Sequence, residues 1–190
     1  MSRLLKCLRK LVEVLEECEA PYAVLGGLAI PAFGVPRSTV DVDIGLAVKG
    51  EKKLEEIVQK LEAKNVRASS EVRSWRTVAH LSDKENLVDI EIWLVPDGIR
   101  WNQEILKRRW RVTFNVGGEP LEVYTLSPED FIVNKLARKD RGAGDEEDVI
   151  SVMAISKNKI DWRYLNKRAR EEKVFDLLQA LKEKISGIKR

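Results

Sequence analysis

"LGGLAIPAFGVPRSTVDVDIGL", residues 25–46, sets two adjacent glycines, Gly26 and Gly27, ahead of the alternating carboxylates Asp41 and Asp43. The run before it, "YAVLGG", reads as a short buried strand entering a glycine turn, and "LAIPAFG" as a short helix closed by Gly34. Pro31 is compatible with that helix, because in a first turn its missing amide has no intrahelical partner to lose. "STVDVDIGLAV" then alternates as a strand, with Val40, Val42 and Ile44 pointing one way and Thr39, Asp41 and Asp43 the other. Two aspartates on one strand face repel each other unless something positive sits between them.

Working outward, Leu4, Leu8, Leu11, Leu15 and Cys18 recur at helical spacing and predict an amphipathic helix over residues 3–18, ending before Pro21. "EKKLEEIVQKLEAKN" is a second helix with Leu54, Ile57, Val58 and Leu61 inward. Two strands follow, "WRTVAHL" and "NLVDIEIWLV"; the latter sets Val88, Ile90 and Ile92 against Asp89, Glu91 and Trp93. "GIRWNQEILKRR" reads as helical, and "WRVTFNVGGEPLEVYTL" as a hairpin turning at Gly117 and Gly118. "SPEDFIVNKLARK" opens with Ser127 as cap and Pro128 at the first helical position, and Asp145 is placed to cap the next helix. From Asp161 the tail is helical, with Val174, Leu177, Leu178, Leu181 and Ile185 on one face. The order of elements predicts an α/β or α+β chain with an all-helical C-terminal third.

Length and composition narrow the function classes. A chain of 190 residues, 44% hydrophobic and 34% charged, can bury a core and has no apolar run long enough to span a bilayer. The leucine-rich N-terminus is interrupted by Glu13, Glu16, Glu17 and Glu19, unlike a signal peptide, so a cytoplasmic, membrane-free protein is expected. Cys7 and Cys18 lie on one predicted helix about 16 Å apart along its axis, too far to bond to each other. The single histidine, His80, accompanies no nucleophile motif, which argues against Ser-His-Asp or Cys-His chemistry. A net charge of +3 is too mild to declare a nucleic-acid binder. The basic surplus after residue 161 and "KRRWR" at 107–111 suit either phosphates or a solvated face.

The chemistry converges on the carboxylates. If the Asp89 strand lies beside the Asp41–Asp43 strand, about 4.8 Å away, three carboxylates share one face. Such a set suits two Mg²⁺ ions clamping the attacking and leaving oxygens of a phosphoryl displacement, with Mn²⁺ as a substitute ion. A strand, a glycine turn and a helix start let backbone amides approach a polyphosphate. The turn is neither a Walker loop nor the G-x-G-x-x-G fingerprint.

Gly26-Gly27, then Arg37-x-Thr39-x-Asp41-x-Asp43, then Asp89, then "LSPEDFIVNKLARKDRGAGDEEDVISVM" resembles the nucleotidyltransferase superfamily of the DNA polymerase β type, and within it the minimal nucleotidyltransferases and the AbiEii-like group. The likeness covers residues 20–153. It implies an α+β fold: a small mixed sheet flanked by helices, with a catalytic domain at 1–125 and a helical region at 126–190 packed on it. It implies Asp41, Asp43 and Asp89 as metal ligands and catalytic residues, with Glu91 as the second candidate for the third carboxylate. Gly26, Gly27, Arg37, Thr39 and Lys135 would be nucleotide-binding, with Arg141 and Asp145 shaping the same cleft. Arg37 could equally neutralise the carboxylates, and Lys135 could be a solvent-facing helix residue. The implied reaction moves a nucleoside monophosphate from NTP, ATP among them, to an acceptor hydroxyl and releases pyrophosphate. The acceptor is left open among an RNA end, a protein hydroxyl in a toxin–antitoxin pair and a small molecule, as is the oligomeric state. Many members of the superfamily have Gly-Ser at the turn, so Gly27 offers no hydroxyl to a phosphate.

Two rival readings stand beside this one. A metal-dependent nuclease would need a lysine after the D/E-x pair, and Asp89-Ile90-Glu91-Ile92-Trp93 has none. A catalytically silent binding partner of the same fold, an antitoxin or scaffold, would not need to keep three mutually repelling carboxylates.

Overall fold

The computed structural model of the chain describes residues 3–187, so the final basic residues of the tail, Lys189 and Arg190, lie outside the described residues. It divides into two units: Met1–Ala29 with Ser38–Pro96 and Arg109–Thr125, and Ile30–Arg37 with Asp97–Arg108 and Leu126–Arg190.

The first unit is a seven-stranded mixed sheet built from β1 (Tyr22–Val24), β2 (Val42–Leu46), β3 (Val66–Ala68), β4 (Val78–Asp83), β5 (Val88–Trp93), β6 (Trp110–Val116) and β7 (Glu119–Thr125), in the order β3-β4-β5-β2-β1-β7-β6. The β2–β5 and β1–β7 pairs are parallel and the others antiparallel. Alternation decides which side is buried. Val42, Ile44, Val88, Ile90, Ile92, Ala79 and Leu81 share one face through the strand register and are all buried. Helix α1 (Arg3–Glu17) presents Leu8, Leu11 and Leu15 to the core and lies against β2, β5 and α3 (Glu51–Ala63), which buries Leu54, Ile57 and Leu61. Cys7 and Cys18 are both free and buried, and burial pushes the Cys7 thiol up to about 12. The opposite face of the sheet carries the alternate, polar residues.

Helix α2 (Gly26–Ala29) follows β1 directly, and the 3-10 turn Ile30–Phe33 continues the chain into the second unit. That unit is helical: α4 (Gln103–Arg108), α5 (Pro128–Ala137), α6 (Ala143–Ile155), α7 (Trp162–Glu171) and α8 (Phe175–Gly187). Helix α5 is buried nearly all round, which is why its sequence shows little amphipathic bias. Phe131 packs against Phe33 with ring centroids 5.0 Å apart. At the centre Arg168 bonds Asp130 Oδ1 at 3.2 Å and the Gly98 carbonyl at 2.6 Å, while Tyr164 Oη donates to Asp130 at 3.1 Å. Gly98, at φ 67°, is required there, because a β-carbon would come within 2.8 Å of Ala137 Cβ.

Several local expectations hold and several change. Ser127 caps α5 through the Asp130 amide at 3.2 Å, with Pro128 at the first helical position, and the β6–β7 hairpin turns at Gly117 and Gly118. Helix α6 is capped by Gly142 instead of Asp145; Asp145 sits three residues in and accepts from the Gly142 amide at 3.1 Å. The tail is two helices, because Lys173 adopts φ 61° and breaks it between α7 and α8. Strand β3 carries no alternation long enough to announce it and exists because β4 supplies its partner. Val40 does not join the buried side: β2 begins at Val42, and Val40 is 86% exposed in the bend before it.

Candidate active site

The polar face of the sheet gathers the carboxylates. The parallel pairing aligns Val42 with Ile90 and Asp43 with Glu91, so Asp43, Glu91 and Asp89 project to one side, while Asp41 lies in the bend just before β2. Asp43 and Glu91 stand directly opposite each other. Asp41 and Asp43 are half-buried, Asp89 is exposed, and Glu91 is half-buried. Thr39 Oγ1 donates to Asp41 Oδ1, which ties the bend preceding β2 to the first carboxylate. Both candidate third carboxylates, Asp89 and Glu91, therefore share the face; the register places Glu91 beside Asp43.

The glycines owe their identity to this face. The Leu25 amide donates to the Asp43 carbonyl at 2.9 Å, which holds the end of β1 against β2. Gly26 follows at φ 58°, and a β-carbon there would fall on the Asp43 carboxylate, 2.8 Å from its Cγ. A β-carbon on Gly27 would meet Thr39 Cβ at 2.9 Å. The missing side chains thus let the turn backbone lie directly against the two residues that carry and orient the acids.

The donor set suits a hard divalent cation, since every acid on the face offers carboxylate oxygens. As the side chains stand, no group of three His, Cys, Asp or Glu residues among the described residues is gathered closely enough to hold an ion.

The second unit holds the predicted cations in a network of their own. Lys135 is not solvent-facing: it is 6% exposed, and its ammonium bonds Asp145 Oδ1 at 2.9 Å and Asp148 Oδ2 at 3.1 Å. Arg37 Nε lies 3.5 Å from Asp148 Oδ1 with its side chain half exposed, so its carboxylate partner is Asp148. Burial opposes ionisation of Asp145, but the Lys135 ammonium and the Gly142 amide outweigh it and hold that carboxyl below the ordinary range. Arg141 donates to the Leu136 carbonyl at 2.7 Å.

The "KRRWR" stretch is not an open phosphate-binding patch. Arg108 pairs with Asp161 at 2.8 Å and lies 3.8 Å over the Tyr164 ring. Arg109 donates to the Tyr22 carbonyl at 2.5 Å and lies 4.3 Å over Tyr124, where desolvation lowers its affinity for its proton. Arg111 pairs with Glu122. Arg108 and Arg109 have partners supplied by elements far away in sequence, and Arg111 has one on the adjoining strand of its own hairpin.

The comparisons agree with this architecture. Residues 99–185 match a family described as "nucleotidyltransferase of unknown function (DUF6036)". The lincosamide antibiotic adenylyltransferase LnuA, in a lincomycin-bound crystal structure, is similar over 79% of this chain and 96% of its own, with 17% identity and a TM-score of 0.53. The antibiotic-resistance factor ANT(2'')-Ia in solution is similar over 92% of this chain and 94% of its own, at 15% identity and a TM-score of 0.55. Its crystal structure in complex with adenylyl-2''-tobramycin gives 14% identity and a TM-score of 0.51, over 87% of this chain and 94% of that one. The chain shares the fold of these nucleotidyltransferases. No curated protein matches the sequence. No described helix is long and apolar enough to cross a membrane. Within the nucleotidyltransferase fold, the acids of β2 and β5 and the Gly26-Gly27 turn occupy one continuous polar face of the sheet unit.

Proposed function

We propose that the protein is a Mg²⁺-dependent nucleotidyltransferase that moves a nucleoside monophosphate from NTP to a hydroxyl of a small-molecule acceptor and releases pyrophosphate. The observation that carries this reading is the fit of the side-chain-free Gly26 backbone against the Asp43 carboxylate, on the face that also presents the β5 acids. A purely structural pair of strand aspartates would not demand a glycine at φ 58° against one of them.

Asp41, Asp43 and Asp89 would hold the metal pair, which supplies Lewis-acid activation of the phosphate and charge neutralisation when bound. The Gly26-Gly27 turn offers backbone amides and an unobstructed approach to the phosphates. Thr39 keeps Asp41 in place through its hydroxyl. Within the helical unit, Lys135 is fixed by two carboxylates and Arg37 is paired with Asp148 and half exposed.

A small-molecule acceptor is favoured over an RNA end for two reasons. The arginines of 107–111 are engaged internally. The similar folds include enzymes described as a lincosamide adenylyltransferase and as a complex with adenylyl-2''-tobramycin.

The test is incubation with each α-labelled NTP and Mg²⁺ or Mn²⁺, together with separate RNA, protein and hydroxylated small-molecule fractions. Label entering the small-molecule fraction alone is expected. Label in RNA or protein overturns the acceptor. Absence of transfer to every fraction, with no Mg²⁺-dependent NTP binding, overturns the enzyme reading in favour of a silent binding partner.

A further inference from the structure

The two edges of the sheet are built differently. At one edge β3 is three residues long, whereas at the other β6 runs for seven, Trp110–Val116. An edge strand carries a row of backbone groups without a neighbour, which proteins blunt with short strands, lysine, proline or bulges. β3 is blunted by its length. β6 contains no lysine and no proline, and its register with β7 is unbroken from Trp110 to Val116, so it has no bulge. Its one charge, Arg111, is drawn to Glu122 on β7.

The turn settles which backbone groups β6 leaves over. Gly117 and Gly118, at φ 70° and 95°, join Val116 to Glu119 as a two-residue loop of the type I′ kind. The pair that closes such a loop exchanges both of its backbone bonds, and bonded and non-bonded pairs alternate from there, so Phe114 and Val112 also bond β7. The N–H and C=O groups of Arg111, Thr113 and Asn115 therefore point away from β7. The side chains of these three are exposed, while Trp110, Val112 and Phe114, on the other face of the strand, are half-buried.

We infer that this edge is an interface between two copies of the chain, in which β6 pairs antiparallel with itself about a twofold axis at Thr113. In that register Thr113 meets Thr113 of the second copy and Arg111 meets Asn115, and each pair exchanges both of the backbone bonds that β7 leaves over. On the other face Val112 meets Phe114 and Trp110 meets Val116, so the half-buried apolar row of one copy is continued by that of the other. No like charges stand opposed. A second copy suits this edge better than an unrelated extended peptide, because the strand supplies its own complement at every position, as a twofold interface requires.

The test uses the full chain. Light scattering should show a mass that rises toward twice that of one chain as concentration increases. Thr113→Pro removes an N–H that β7 does not use, and Thr113→Lys sets two ammonium groups together at the axis. Each should raise the dimer dissociation constant more than about tenfold while leaving urea unfolding of the monomer unchanged. Cysteines report the register. Thr113→Cys places two thiols across the axis with Cα atoms about 5.5 Å apart, so oxidation should give a covalent dimer. Asn115→Cys, on the same strand face, leaves its two copies about 13 Å apart along the strand and should give none. A wild type that is monomeric at every concentration overturns the inference. So does a dimer that survives both Thr113 substitutions, or one that Asn115→Cys crosslinks as readily as Thr113→Cys.

Discussion

Replacing Gly26 with alanine should damage the protein twice, by amounts that can be separated. The backbone at Gly26 has φ 58°, a conformation that costs an L-residue about 1–2 kcal/mol. The added β-carbon would also lie 2.8 Å from Asp43 Cγ and 3.1 Å from Asp43 Cβ, well inside the ~3.5–4.0 Å separation of touching carbons. The carboxylate must therefore leave its rotamer, at about 0.5–1.5 kcal/mol. Alanine restricts the unfolded chain and returns about 0.4–1 kcal/mol, so the net loss is roughly 1–3 kcal/mol. For a chain of this length that lowers Tm by roughly 2–12 °C. The effect on transfer should be larger, about 100-fold, because Asp43 itself is displaced and ångström-scale misplacement at a reacting centre has that consequence. Urea denaturation and labelled-NTP transfer measure the two losses. In an Asp43→Ala background the same substitution should lose the carboxylate clash and keep the backbone cost and the 3.1 Å approach to Cβ, so the double mutant must be less destabilised than the sum of the singles. Additive losses, or a Gly26→Ala protein with wild-type stability and transfer, would refute the claim that this glycine exists to admit the Asp43 carboxylate.

Three further outcomes are expected. Asp41→Asn and Asp43→Asn should each abolish transfer while leaving the urea-unfolding free energy of the ligand-free protein within about 0.5 kcal/mol of wild type, since relieved repulsion offsets lost bonds; wild type should gain thermal stability from Mg²⁺-NTP and the mutants much less. Arg168→Met removes the cation beside Asp130, which is fully buried, and should cost about 3–5 kcal/mol in urea unfolding, part of which Asp130→Asn in the same chain should restore. Because the Asp145 carboxyl is held below its ordinary range, its contribution to stability should be complete above about pH 4 and disappear as the pH falls through its lowered folded value; Asp145→Asn should flatten that part of the stability–pH curve, and an unchanged acid limb would contradict the Lys135 pairing.

What was legible in the sequence is what depends on periodicity and local chemistry. Alternation along Val42–Leu46 and Val88–Trp93 assigned each acid to a face, and the Ser127-Pro128 pair marked the start of α5. What was hidden depends on partners distant along the chain. The letters of 107–111 show clustered cations, but the acceptors of Arg108 and Arg109, Asp161 and the Tyr22 carbonyl, come from elsewhere in the chain. Lys135 could be placed on a helix without knowing that Asp145 and Asp148 would turn back to meet it. The helical unit also includes Ile30–Arg37 and Asp97–Arg108, two short segments that no composition shift separates from their surroundings.

The third carboxylate shows most clearly where reading along the chain stops and pairing across it begins. Asp89 and Glu91 are two residues apart on one strand, so alternation puts both on the same side and cannot choose between them. The register chooses what each one faces: Asp43 and His80 for Glu91, Ser82 for Asp89. A shift of the β2–β5 pairing by two residues would keep every apolar contact on the buried face, yet it would place Asp89 opposite Asp43. Hydrophobic burial therefore leaves that choice open. The neighbouring constraints close it, since β2 is held at one end by the Leu25 amide on the Asp43 carbonyl and β5 is aligned with β4 from Val78–Trp93 to Asp83–Val88. The arrangement of acids on the polar face is thus set by backbone pairing, and a substitution that slips the β2–β5 pairing by two residues should alter which carboxylate faces Asp43 while leaving the apolar residues on the buried face.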